Sequence, residues 1–312
     1  MDIIYSHTNN WYHADFARRL YADLPEALRA QTRLCNVVAW LDDTPHDHVV
    51  VVNWEEVVRE PQLGRGVTDL CARLADIPRR TLLSAECVGT EWFEKQFAEG
   101  IAWTELIEVG WFGYPLPERY RGLPYHVLGT VATRAEQEAM ERRRAALDET
   151  PDDPAARPIP WAFVGMRTPA RVAFAHELVH WRPGGFVLLT DAGPARPGSG
   201  RLTEAGLARV LRRTPLYIWR AQHPFPYFET FRVHDALRHG ALPVKIDPDH
   251  AAHFSGAPGV FPSLKALAAA LESQGWTALL RAAYEAALAR PTLGAAFAAI
   301  ASGGTPNSHA HG

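Results

Sequence analysis

The amino-acid sequence predicts an α/β protein of two successive domains. Apolar and β-branched runs alternate with amphipathic helical segments, the pattern of parallel sheets covered by helices. The alternation is broken once, by the acidic, proline-rich stretch DETPDDPAARPIP at 148–160, and then restarts. A length of 312 residues is enough for two domains, each with its own core.

In the first half, residues 2–5 read as a buried strand, followed by a polar run and a helix through Phe16, Leu20 and Leu24. A second strand is expected at 36–41. The clearest strand is HVVVVNW at 48–54, whose uninterrupted β-branched run suits burial on both faces of a parallel sheet. Helices are expected at 66–75 and 90–98, and strands at 80–84 and 125–128. The segment 134–144 reads as a helix with mostly polar faces. After 148–160 come a strand at 161–165, a helix at 168–180 and a strand at 186–190. A Gly/Pro loop then leads to a helix at 202–212 capped by Thr203 and to strands at 216–220 and 242–246, with a helix at 231–239 between them. Ala-rich helices at 264–271 and 276–288 follow, and the last helices are expected to pack back on the first domain. The domains expected are 1–147, a linker at 148–160, 161–302, and a disordered tail at 303–312.

Composition excludes several classes. An apolar content of 47% is that of a globular chain, and a net charge of −3 offers no surface for nucleic acid or an anionic membrane. The three cysteines, Cys35, Cys71 and Cys87, form no C-x-x-C pair and suggest neither a disulfide framework nor a structural zinc site. MDIIYSHTNN has no signal-peptide core, and no run nears the roughly 20 apolar residues of a spanning helix, so a cytoplasmic protein without a membrane span is expected.

The chemistry is concentrated in LTEAGLARVLRRTPLYIWRAQHPFPYFETFRVHDALRHGALPV, 202–244. A loop with three aromatics and two prolines opens onto a helix N-terminus, where unpaired N–H groups and a partial positive charge suit a phosphate. Thr230 is placed to cap that helix and offer a hydroxyl. Arg232 and Asp235, three apart, share a helix face, with Arg232 nearer the phosphate end and Asp235 able to accept from ribose hydroxyls. Gly240 ends the helix in the left-handed conformation.

E-T-F-R-x-x-D-A-L-x-x-G-A-L-P-V resembles the nucleotide-sugar segment of GT-B glycosyltransferases, especially the exostosin-like and CgeB-like groups. Thr230, Arg232, Ala236, Leu237, Gly240, Pro243 and Val244 match the family pattern; Asp235 stands for its usual Glu, and Ala221–Pro226 replaces its Pro-x-Gly loop. WAFVGMRTPAR at 161–171 is similar to the first strand–helix turn of the same domain. The resemblance implies two Rossmann-like domains facing a cleft. It further implies a donor site of Gly165, Arg167, Arg220, Glu229, Thr230, Arg232 and Asp235, binding a UDP- or GDP-sugar with no metal or other cofactor. The acceptor, a glycan, protein or small molecule, then belongs to the N-terminal domain. Inverting members need a base there, for which His7, beyond the first strand, and Glu86, at the end of another, are the candidates.

Two other readings stay open. A degenerate transferase would bind nucleotide or a partner protein without turnover. His176-Glu177-Leu178-Val179-His180 spells the zincin H-E-x-x-H, but Pro183 breaks the metzincin continuation, and Glu204 is the nearest downstream helical glutamate for a third ligand. Asp247-Pro-Asp249 and Asp42-Asp43 read as turns, and Trp103, Trp111, Phe112 and Tyr114 as core or an acceptor groove.

Overall fold

A computed structural model describes residues 1–6, 11–149, 153–191, 202–221 and 226–303. The chain divides into two compact units, Met1–Arg134 with Pro291–Gly312, and Ala135–Arg290. The expected linker at 148–160 is therefore not where the units part. The helix Arg134–Glu149 groups with the second unit, and the helix Leu293–Ala301 with the first.

The first unit holds strands β1 (Asp2–Tyr5), β2 (Arg33–Asn36), β3 (His48–Val52), β4 (Arg79–Ser84), β5 (Glu105–Glu108) and β6 (Tyr125–Val127), all paired parallel in the order β2-β1-β3-β4-β5-β6. Val49 to Val52 are fully covered, as a β-branched run between two parallel neighbours requires. On one face, Ile4, Val51, Leu82 and Leu106 pack with Trp40, Trp54 and Trp103. Asp2 is buried at the start of β1, where it accepts from Arg33 and from the Trp40 indole at 2.9 Å. Those donors, against the cost of burial, hold its carboxyl well below the usual carboxylate range.

The second unit holds β7 (Ala162–Met166), β8 (Phe186–Thr190), β9 (Leu216–Arg220), β10 (Leu242–Ile246) and β11 (Val260–Phe261), parallel in the order β11-β10-β9-β7-β8. Counted from its own first strand, that order is 2-1-3-4-5, which is the first unit's 2-1-3-4-5-6 without the sixth strand. Each unit is thus a Rossmann-like sheet whose winding reverses beside its first strand, and ligands of such sheets bind outside the carboxyl ends of the strands at that reversal.

Several elements depart from expectation, among them the helix Trp54–Val58, which takes the last residue of the strand expected at 48–54. The strand expected at 36–41 ends at Asn36, whose side chain accepts from the Val38 N–H at 2.9 Å and starts a helix, Val37–Asp42. A cap outweighs the β-branched Val37-Val38 pair there. Strand β5 went unread because ELIE carries two glutamates, both buried. The helix Leu293–Ala301 also lies beyond the expected helices; its Gly294 N–H donates to Asp23 at 2.6 Å and its Leu293 N–H to the Ala132 carbonyl at 2.7 Å. Among the described residues no helix is long and apolar enough to cross a membrane.

Candidate functional site

In the second unit the reversal lies between β7 and β9. Gly165, the penultimate residue of β7, has two guanidinium groups against it. A Cβ at this position would stand 3.0 Å from Arg171 Nη1 and 3.3 Å from Arg232 Nη2. Arg171 enters from the helix Pro169–Trp181, in whose first turn it is placed by the Thr168 cap, and only 2% of its surface is exposed. Its Nε donates to the Arg220 carbonyl at 3.1 Å, and Nη2 lies 4.0 Å from Glu229. Arg232 reaches down from the helix Thr230–Arg238, with Nη1 donating to the Val164 carbonyl at 2.6 Å and to the Tyr217 hydroxyl at 2.7 Å. Two cations held this close in a largely dry place repel each other. The Arg171 pKa is accordingly pulled down to about 10, by burial first and by the Arg232 charge second.

Around this pair lies a second layer of buried polar groups. Glu229 occupies the N-cap position without capping; its carboxylate accepts from the Trp219 indole at 2.8 Å and stands 3.6 Å from Lys245 Nζ. Lys245 is fully buried in β10, donates to the Tyr227 carbonyl and lies 3.0 Å from Asp247. Thr230 does not cap the helix as expected. It is the first helical residue, 4% exposed, and its hydroxyl has no hydrogen-bond partner. Gly240 closes the helix at φ +75°, in the left-handed region as expected.

The structure thus brings Gly165, Arg232, Glu229 and the Arg220 carbonyl together around Arg171. Arg167 stands apart: it is exposed, with Nε 3.4 Å from Asp191. Asp235 is partly exposed and 4.0 Å from His234 Nδ1. Sequence reasoning passed over Arg171, Tyr217 and Lys245. Lys245 had a signal, a lysine inside an apolar strand, since lysine is almost never fully buried without partners. Asp247 is one such partner, so it is more than the turn residue expected, although it also accepts from the His250 N–H at 3.0 Å.

His7 lies outside the described residues. Glu86 follows β4 of the first unit, close to Asn53, the residue after β3. Burial pushes its carboxyl up to about 7, with the charges of Glu55 and Glu56 adding to the rise. Asn53 is 1% exposed and left-handed, at φ 57° and ψ 81°. Its Oδ1 accepts from the Ala85 N–H at 3.2 Å, and its Nδ2 is 3.1 Å from His13 Nε2. Burial lowers the His13 pKa to about 4. At the end of β5, Glu108 bonds to the Tyr125 hydroxyl, and burial raises its carboxyl to about 7 as well. Trp103 and Trp111 are buried, and Trp103 belongs to the core cluster.

His176, Glu177 and His180 are exposed on the Pro169–Trp181 helix, and His180 Nδ1 bonds to the His176 carbonyl at 2.8 Å. Among the described residues no third metal-ligating side chain joins the two histidines. Comparison with protein-family models and with curated proteins finds no match for the chain.

Proposed function

We propose that the chain is a GT-B-type glycosyltransferase whose second unit holds the diphosphate of a sugar nucleotide at Arg171, Arg232 and the start of the Thr230–Arg238 helix. The observation that carries the reading is the pair of guanidiniums meeting at Gly165 beside the sheet reversal. Bringing two cations together in a desolvated site costs free energy, and a dianion between forked donors recovers it. The helix adds its amide dipoles, and the Thr230 hydroxyl adds a buried donor. Asp235 fits a ribose partner less closely than it fits the family pattern, since its carboxylate sits beside His234.

In an inverting transfer the acceptor oxygen bonds to the anomeric carbon as the bond from that carbon to the diphosphate breaks. The electron pair leaves on the phosphate oxygen, and the acceptor proton passes to a base. Glu86 is the base this reading assigns, because a carboxyl titrating near 7 is matched to proton transfer at neutral pH. Incubation with a panel of UDP- and GDP-sugars tests the proposal. Donor hydrolysis or transfer supports it; tight binding of every nucleotide without turnover would favour the inert nucleotide-binding module instead.

A further inference from the structure

The H-E-x-x-H segment takes no part in the donor site, although it lies on the helix that carries Arg171. That helix, Pro169–Trp181, buries Arg171, Phe174, Ala175 and Leu178. At about 100° per residue, Val172, His176, Val179 and His180 fall in one stripe on its outer side, and all four are exposed. The solvent face of a helix ordinarily carries charged residues; of the exposed residues here, only Glu177 is a carboxylate, and none is lysine or arginine. The neighbouring strand adds to the apolar surface. Val187 of β8 is in register with Phe163 of β7, so it points to the face of the sheet that the helix covers through the Phe163–Phe174 ring contact. Val172, Val179 and Val187, at 36%, 48% and 36%, are the large apolar side chains that stand exposed among the described residues.

His180 has the setting of a metal ligand. Its Nδ1 lies 2.8 Å from the His176 carbonyl, and a carbonyl only accepts, so Nδ1 carries the proton and Nε2 the lone pair of the neutral ring. A ring N–H donated to a backbone carbonyl is the arrangement that orients ligating histidines. Residues four apart on a helix have Cβ atoms about 5–6 Å apart. Both imidazoles can therefore reach one ion at the roughly 2.0–2.1 Å of a zinc–nitrogen bond. Zinc in a structural site takes four ligands. The helix supplies two, and among the described residues no third joins them. A two-fold axis through the stripe supplies the other two, because an isologous contact brings the same histidines from a second copy.

We propose that His176 and His180 are half of a structural zinc site, completed by the same pair from a second copy of the chain, with Val172, Val179 and Val187 as the apolar flank of the contact. An ion held by one chain keeps water at its remaining positions, and the second copy displaces that water. The inference is independent of the transferase reading, since it uses the side of the helix turned away from Arg171.

Sedimentation of the full chain, stripped with a chelator and then titrated with zinc chloride, tests it beside His176→Ala, His180→Ala and Val179→Lys. All three positions are exposed, and circular dichroism shows that each variant is folded. The parent should pass from monomer to dimer, with the change complete at one zinc per two chains. Both histidine variants should stay monomeric at that level, with every other histidine of the chain in place. Val179→Lys keeps the chelating pair but sets like charges across the contact, so its dimer should be weaker by about tenfold or more. Cobalt in place of zinc should give the strong visible bands of a tetrahedral ion in the parent and not in the histidine variants. A parent that stays monomeric in saturating zinc, or a zinc-induced dimer that forms equally in both histidine variants, overturns the site. A dimer already complete in chelator overturns it too, and a Val179→Lys dimer as tight as the parent's overturns the contact surface.

Discussion

Gly165 is the position at which the smallest change has the sharpest expected effect. Its missing Cβ leaves room for Arg171 and Arg232, and both contacts are ends of flexible side chains. Gly165→Ala should therefore be accommodated by displaced guanidiniums: stability changes by less than about 1 kcal/mol, while nucleotide affinity falls about tenfold, the worth of one misplaced charge-assisted bond. Urea unfolding beside calorimetric titration separates the two effects. Glu108 makes a prediction of the opposite kind. Its folded carboxyl titrates near 7, above its ordinary 4.5, so the folded state binds the extra proton between those values. Its contribution to stability is fully present below pH 4.5 and is lost as pH rises through 7. Glu108→Gln cannot ionise, so its stability relative to the parent should improve by roughly 2 kcal/mol between pH 5 and pH 8. Equal pH dependence in the two proteins would show that Glu108 is ionised at little cost where it stands.

At the scale of elements, the helix Thr230–Arg238 joins sequence signal to site. It starts at the cluster around Glu229 and ends at Gly240, where φ is +75° and a Cβ would lie 3.1 Å from Arg157 Nη2. Gly240→Ala should cost about 1 kcal/mol for the left-handed backbone alone, read as a lower urea midpoint with unchanged slope. This helix was legible, as were β3 and β10, because cap residues, periodicity and β-branched runs are local. What escaped was set by distant partners. The glutamates of β5 argue against a buried strand until Arg79 and Thr81 are seen to meet Glu105, and Tyr125 to meet Glu108. Arg171 and Lys245 escaped for the same reason: their partners Arg220 and Glu229 come from other elements of the unit. Conversely Thr230, read correctly as sitting at the helix start, was given a capping bond that the backbone places one residue too late.

For the molecule as a whole, the two units share one winding order, and the chain returns to the first unit only at its end, through Leu293–Ala301. That helix buries Leu293, Phe297 and Ile300 within the unit that begins at Met1. Phe297→Ala should remove about 3–5 kcal/mol from the first unit, lowering one thermal transition while nucleotide binding, carried by the second unit, persists. Loss of binding in step with that transition would mean that the donor site needs the first unit intact. The central claim is that Arg171 and Arg232 together hold the donor diphosphate, and isothermal titration of UDP- and GDP-sugars into parent, Arg171→Gln, Arg232→Ala and Arg232→Lys measures it directly. Arg232 also bonds to Val164 and Tyr217, so each variant is first shown to be folded below its melting point. Affinity for the sugar nucleotide that the parent binds should fall about ten- to a hundredfold in Arg171→Gln and Arg232→Ala and recover only in part in Arg232→Lys, because a point charge does not reproduce the fork. Folded variants that bind every nucleotide as the parent does would contradict the account.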